Sequence, residues 1–264
     1  MAPSALLAPI IAGILIMFLN IFCPSKDWGP GQVGPEETKD QEFCVMAKLE
    51  IIGFDISNWV RAARIACHEK GIDYELTPNG MTGINDLKSE KHLAVHPFGR
   101  IPAMRHGDVV LFETSAICRY VDSMFDGPRL VPEDKIEAAR MEQWVSAMID
   151  YVSRSVMGRC VVQYVLPTFT GKEIDRAVID AAMPDIRNHL AILNKALVKG
   201  PFFHGDKPHI DDFILLPMID ALMAVAPEGP VLLAEAPNVA RHRSAFQGRP
   251  SYALTIPQMF QKAA

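Results

Sequence analysis

The sequence has no Cys-x-x-Cys pair, no run of lysine or arginine and no internal repeat. Its five cysteines (Cys23, Cys44, Cys67, Cys118, Cys160) are odd in number and scattered, so neither a disulfide framework nor a zinc knuckle is indicated. A reducing compartment, the cytoplasm, is the simpler expectation. Basic residues are dispersed within a mildly acidic balance of −5, which leaves no electrostatic footprint for nucleic acid. His92 and His96 have H-x-x-x-H spacing, yet Pro97 ends any helix there and no third ligand follows nearby, so no metal is expected. Long polar tracts are also scarce. Nearly half of the 264 residues are apolar, enough to bury a substantial core in one large or two small domains.

The one long apolar run is Ala5 to Phe22, about 18 residues without charge, the lower end of what spans a bilayer as a helix. No Lys or Arg precedes it, no A-x-A site follows, and Phe22 before Cys23 is too large for a lipoprotein site, so it is a poor signal peptide. Three readings stay open: a single N-terminal membrane anchor, a non-native extension ahead of a start at Met46, or a buried extra helix. Pro24 to Gln41, rich in Pro, Gly and acid, reads as a disordered linker. Residues 1–45 are therefore set apart, and a membrane is a partner only if this segment is translated and retained.

Beyond Met46 the chain changes character. Leu49 to Phe54 suits a buried strand; Asn58 to Lys70 carries small or apolar residues at helical spacing and stops at Gly71. Ile72 to Leu76 is a second strand. Ile101 to Arg105 and Val109 to Phe112 form a hairpin about Gly107-Asp108, and Thr114 to Met124 is a helix. A crossover of the first two strands plus an antiparallel hairpin makes one mixed sheet with helices on its faces. Asp126-Gly127-Pro128 breaks this pattern, with a linker near Asp126 to Glu133. After it come only helical periodicities: Lys135 to Val165, Lys172 to Val198, Ile210 to Ala226 and Val239 to Phe246. The expectation is an α+β/α two-domain chain, with a mixed four-stranded sheet over residues 47–126 and an all-helical domain over 134–264.

The densest chemistry lies in HPFGRIPAMRHGDVVLFETSAICRYV, His96 to Val121. Pro102 opens a strand where no ladder hydrogen bond need be donated. Glu113 and Thr114 then begin a helix, whose free N–H groups bind anions. A carboxylate could sit on Thr114 and Ser115 while Glu113 takes an ammonium, which fits a free amino-acid end. This stretch resembles the N-P-x-G-x-[IV]-P-x-L and E-S-x-A-I signature of cytosolic glutathione transferases. The resemblance extends upstream through LEIIGFDISNWVRAARIACHEKGIDYEL and, more loosely, downstream through FFHGDKPHIDDFILLPMIDAL. It covers nearly everything from Ala47 onward.

The resemblance is to serine-type, phi-like members, in which a serine in S-x-x-[TV]-R donates its hydroxyl to the glutathione sulfur; Ser57, Val60 and Arg61 match that pattern. A hydroxyl donor and the positive end of a helix favour the thiolate of a thiol whose free pKa is about 8.5. Ser57 would also serve as a helix N-cap, and the two roles can coexist. Glutathione is the implied co-substrate, no metal is implied, and the fold implied for the first domain is thioredoxin-like. The resemblance assigns Glu113 and Thr114 to the γ-glutamyl group, Ile101 with a cis Pro102 to the cysteinyl backbone, and Arg100 and Lys88 to the ligand backbone or a carboxylate. Thr114 replaces the usual serine. Relatives with cysteine at or beside the serine position have no counterpart here, where Ile56 and Asn58 flank Ser57, so thiol-transfer chemistry is disfavoured. Trp59, together with Tyr151, Arg154, Met157 and Gln163 on the first long helix, is placed at the pocket for a small-molecule electrophile, mostly apolar. A homodimer is implied, with detoxification as its role. A non-catalytic use of the fold for binding or scaffolding stays open as the rival.

His209-Ile210-Asp211-Asp212 aligns with the family's [ST]-x-x-D helix start with its capping hydroxyl missing. Asp212 can still accept from the His209 N–H, and restoring the hydroxyl by His209→Ser is expected to add about 1 kcal/mol.

Overall fold

A computed structural model of the protein describes residues 47–78 and 84–261. The apolar run, the linker after it and Met46 lie outside the described residues, as does any reading of them. No helix among the described residues is long and apolar enough to cross a membrane.

The described residues open with strand β1 (Leu49–Ile52) and helix α1 (Asn58–Lys70), then β2 (Tyr74–Thr77). A 3-10 turn (Ile84–Lys88) and the one-turn α2 (Glu90–Leu93) lead to the hairpin β3 (Ala103–His106) and β4 (Val109–Phe112), followed by α3 (Thr114–Met124). The sheet order is β2-β1-β3-β4, with β1 and β2 parallel and the rest antiparallel, as a thioredoxin-like unit requires. The second strand begins at Tyr74 rather than Ile72. Gly71 sits in the left-handed region (φ 79°), and the Gly71 and Ile72 amides turn back onto the His68 and Cys67 carbonyls to close α1.

The second half is helical: α4 (Lys135–Ala147), a π-wound segment (Met148–Val161), α5 (Val162–Thr170), α6 (Arg176–Ala196), α7 (Ile210–Val225), α8 (Gly229–Ala234), α9 (Pro237–Gln247) and α10 (Pro250–Thr255). The first three run on without a break, five residues past the expected end at Val165. Over Met148–Val161 the backbone bonds i→i+5 rather than i→i+4, a winding that elsewhere occurs mostly as single turns at functional sites. Helix α6 starts at Arg176 because Asp175 accepts from the Val178 amide (3.2 Å) and caps it there. Helices α8 and α10, six residues each with Pro in the first turn, are too short for periodicity to reveal.

Helix α7 is mostly apolar and buried from Ile210 to Leu222, the behaviour of a helix at the centre of a core, and its three buried carboxylates, Asp211, Asp212 and Asp220, all have partners. It packs on α1, which presents Val60, Ala63 and Cys67 to the interior, all fully buried. One ion pair crosses this interface. Arg61 Nη1 donates to Asp220 Oδ2 (2.7 Å) with both side chains almost wholly buried, and Arg243 Nε and the Tyr252 hydroxyl meet Asp220 Oδ1 at 2.6 and 3.3 Å. Burial pushes the Cys67 and Cys118 thiols up, Cys118 to about 12, so both are inert core residues.

At the start of α7, Asp212 Oδ2 accepts from the His209 amide (2.9 Å), as the sequence implies. The amide that a serine at 209 would cap, that of Asp212, is already held by Asp211 Oδ1 (3.1 Å). The stabilisation expected of His209→Ser therefore loses its physical basis, since the substitution would only remove a buried imidazole.

Candidate active site

A cleft of about 360 Å³ lies between the sheet edge and the π-wound segment. Its sheet side is built by His96, Arg100, Ile101, Pro102, Glu113 and Thr114, with Trp59 from α1; its helical side is built by Ile149, Asp150, Ser153, Arg154 and Gly158. Ile101–Pro102 is cis. Gly99, at φ 60°, lets the loop before it pass close: a Cβ there would lie 2.5 Å from the Leu87 carbonyl oxygen.

Glu113 is the strained residue of the site. It is the one non-glycine among the described residues with positive φ (73°, with ψ 123°), it makes no capping bond to α3, and its carboxylate has no partner among the described residues. Such conformations cost of order 1–3 kcal/mol and persist where the surroundings over-determine them, most often at ligand sites. Thr114 is buried and its hydroxyl donates to the Trp59 carbonyl (3.3 Å), tying the start of α3 to α1. The amides that open α3 keep the positive end of the helix beside Glu113.

Ser57 is the N-cap of α1: its Oγ accepts from the Val60 amide at 3.4 Å, and the residue is 6% exposed. It is not among the residues lining the cleft, although its near neighbour Trp59 is. As an acceptor in the cap it spends a lone pair, which leaves its O–H available to donate.

Lys88 Nζ donates to the Phe98 carbonyl (3.2 Å), outside the cleft lining. Of the residues placed at the second-substrate pocket, Trp59 and Arg154 line the cleft. Tyr151 points to solvent at 60% exposure, Met157 is buried in the core, and Gln163 lies outside the lining. The winding is the reason. Tyr151, Arg154 and Met157 share a face at α-helical spacing, whereas the i→i+5 pattern aligns residues four and five apart, bringing Ile149, Ser153, Arg154 and Gly158 to one side.

His96, noted in the sequence only for its H-x-x-x-H spacing, is a lining residue of the cleft. Its ring is 2% exposed and packs against Phe112 (centroids 4.9 Å apart). Burial, then His92 and Arg100, push its pKa down to about 4, so it is neutral near pH 7. Its Nδ1 has no hydrogen-bond partner among the described residues.

Comparison with known proteins identifies the framework. The glutathione S-transferase N-terminal domain model matches residues 56–124 and the C-terminal domain model residues 176–245. Glutathione S-transferase 3 of Zea mays is 32% identical over 216 residues, covering 80% of this chain and 94% of that protein. The crystal structure of glutathione transferase F2 from Populus trichocarpa superposes with a TM-score of 0.72 at 26% identity, covering 81% of this chain and 99% of the other. Glutathione S-transferase I from mais, in complex with an atrazine glutathione conjugate, gives 0.72 at 26% identity over 83% of this chain and all of that one. From the sheet order to the final helices, this chain belongs to the glutathione S-transferase family of enzymes.

Proposed function

We propose that the cleft binds glutathione and that Ser57 holds its thiol as the thiolate, which attacks a mostly apolar electrophile resting on Trp59 and Ile149. The observation that carries this reading is Glu113: a carboxylate on a strained backbone, with no partner among the described residues, held in the cleft lining beside the first amides of α3. There the carboxylate takes the ligand's ammonium and the α3 amides take its α-carboxylate. The backbone of Ile101 pairs with the cysteinyl backbone and Arg100 meets the glycyl carboxylate. Lys88 reaches that carboxylate only by releasing Phe98. The cysteinyl sulfur then falls at the N-terminus of α1, where the Ser57 O–H and the helix dipole both favour its anion. The relative bound to an atrazine glutathione conjugate is consistent with an electrophile of apolar body. The proposed assembly is a homodimer, with residues 47–126 and 134–264 as its two domains.

The rival reading, a non-catalytic binding or scaffold protein, draws on Ser57 being a helix cap outside the cleft lining. Titration of the ultraviolet thiolate absorbance of glutathione bound to the full-length chain, beside its Ser57→Ala form, separates the two. A depressed thiol pKa that rises toward about 8.5 without the hydroxyl is the result expected of the enzyme. Glutathione bound at its free pKa in both proteins would leave the scaffold reading standing and remove the catalytic one.

A further inference from the structure

The one-turn helix α2 frames the loop that carries Ile101. Ser89 Oγ accepts from the His92 amide (3.2 Å) and donates to the Asp86 carbonyl (2.6 Å), and the His92 carbonyl accepts from the His96 amide (2.9 Å). His92 is fully buried, and its Nε2 lies 2.7 Å from the Arg100 carbonyl oxygen. A carbonyl only accepts, so the proton of this imidazole sits on Nε2. Burial lowers the pKa of the ring against the opposing pull of the Arg100 carbonyl, which keeps it neutral near pH 7. The His96 ring, which lines the cleft, stacks on that of His92 with centroids 6.2 Å apart and planes 15° from parallel.

The acceptor matters because of the peptide unit to which it belongs. The Arg100 carbonyl and the Ile101 N–H share one trans peptide plane, in which the two groups point in opposite directions. Arg100 and Ile101 line the cleft and His92 does not, so a carbonyl held by His92 turns the Ile101 N–H toward the cleft. That N–H donates to no group among the described residues. A carbonyl that already accepts a hydrogen bond also makes the N–H of its own unit a stronger donor.

Resting on the glutathione reading above, we infer that His92 is a positioning residue for the thiol tripeptide: through the Arg100 carbonyl it aims and polarises the Ile101 N–H, which donates to the cysteinyl carbonyl of the ligand. His92 touches neither the ligand nor the reacting sulfur. Its effect reaches only thiols with an acceptor at that carbonyl, so it favours glutathione over thiols that lack one.

The test compares glutathione with an analogue in which a trans alkene replaces the amide between its cysteinyl and glycyl residues, keeping the shape and removing the acceptor. Kd for both is measured on full-length wild type, on His92→Leu, which removes the donor, and on His92→Gln, whose side-chain amide restores one near the position of Nε2. His92→Leu should weaken glutathione about 3- to 10-fold, the worth of one such hydrogen bond, and move the analogue less than about twofold, with His92→Gln recovering part of the loss. In wild type, the Ile101 amide proton should shift downfield on adding glutathione and stay in place with the analogue, an NMR readout that needs neither variant to fold. Equal weakening of both ligands, no weakening of either, or an Ile101 amide that responds to both alike or to neither would overturn the inference and leave the glutathione reading intact. A wild type that binds no glutathione would overturn both.

Discussion

Replacing Asp220 by asparagine should destabilise the protein severely, and more than removing the arginine it pairs with. The carboxylate divides its oxygens between two cations: Oδ2 accepts from Arg61 (2.7 Å) and Oδ1 from Arg243 (2.6 Å). Arg61 is 1% exposed and one of its terminal nitrogens, Nη2, already lacks a partner. An amide of the same shape at 220 would leave that guanidinium buried with no counter-charge, a situation that costs about 3–5 kcal/mol. Arg61→Met removes the buried cation itself, and Asp220 keeps Arg243, so its cost should stay nearer 1–3 kcal/mol. For a protein of this size each kcal/mol moves Tm by roughly 2–4 °C, so Asp220→Asn should lower Tm by on the order of 10 °C. Thermal unfolding of both variants at one protein concentration, with urea unfolding as a second measure, is the assay. An Asp220→Asn protein melting within about 2 °C of wild type, or an inverted order of the two variants, would refute the claim that this buried pair ties α1 to α7.

Two further outcomes are expected. Glu113→Gly relieves the positive φ and should raise Tm by roughly 2–4 °C, about 1 kcal/mol, while weakening glutathione binding; an unchanged or lower Tm would show that the backbone there stores no strain. The second concerns His204, whose Nδ1 and Nε2 face Glu137 (3.0 Å) and Asp211 (2.9 Å). Burial alone would depress its pKa, but the Asp211 and Glu137 carboxylates overcome that and hold it at about 9. A folded pKa above the unfolded value of about 6.5 means that the His204 contribution disappears as pH rises through 9, while on the acid side Asp211, its carboxyl pushed up to about 7 by burial and the neighbouring Asp212, must itself be ionised for the pair to hold. Tm should therefore fall between pH 7 and 10, and His204→Gln should flatten that slope; an equal slope in the variant would assign the loss to other groups.

Where local chemistry dominates, the sequence is readable. Asn58 to Lys70 begins after a capping serine and ends at a glycine that adopts the left-handed conformation, and both ends of α1 fall where those residues put them. The hairpin strand Val109–Phe112 and helix α3 follow the same logic of turn residues and apolar spacing. The cleft is only half legible in this way. Its sheet side is a run of neighbouring residues, so one motif names Arg100, Ile101, Pro102, Glu113 and Thr114 together. Its helical side depends on how a long helix is wound, and nothing in the spacing of Met148–Val161 distinguishes an i→i+5 pattern from an α-helix. That is why Tyr151 and Met157 lie off the cleft and Asp150 and Ser153 on it. Lys88 shows a different limit: sequence places a lysine near a site but not the carbonyl that occupies its ammonium.

The partners of α1 have a consequence for synthesis. Arg61 Nε reaches Thr255, Arg64 reaches the Leu254 carbonyl, and Glu69 accepts from Arg249 and Ser251, while Asp55 just before the helix accepts from the Gln258 amide. These contacts span about 180 to 203 residues of chain. At roughly 5–20 residues per second, a ribosome that has finished α1 needs on the order of 10 to 40 s more to deliver the segment that satisfies it. Throughout that interval the first helix carries charges destined for burial with no counterpart yet made. The sheet half can collapse early, but its first helix is satisfied only when nearly the last turn of the chain has emerged.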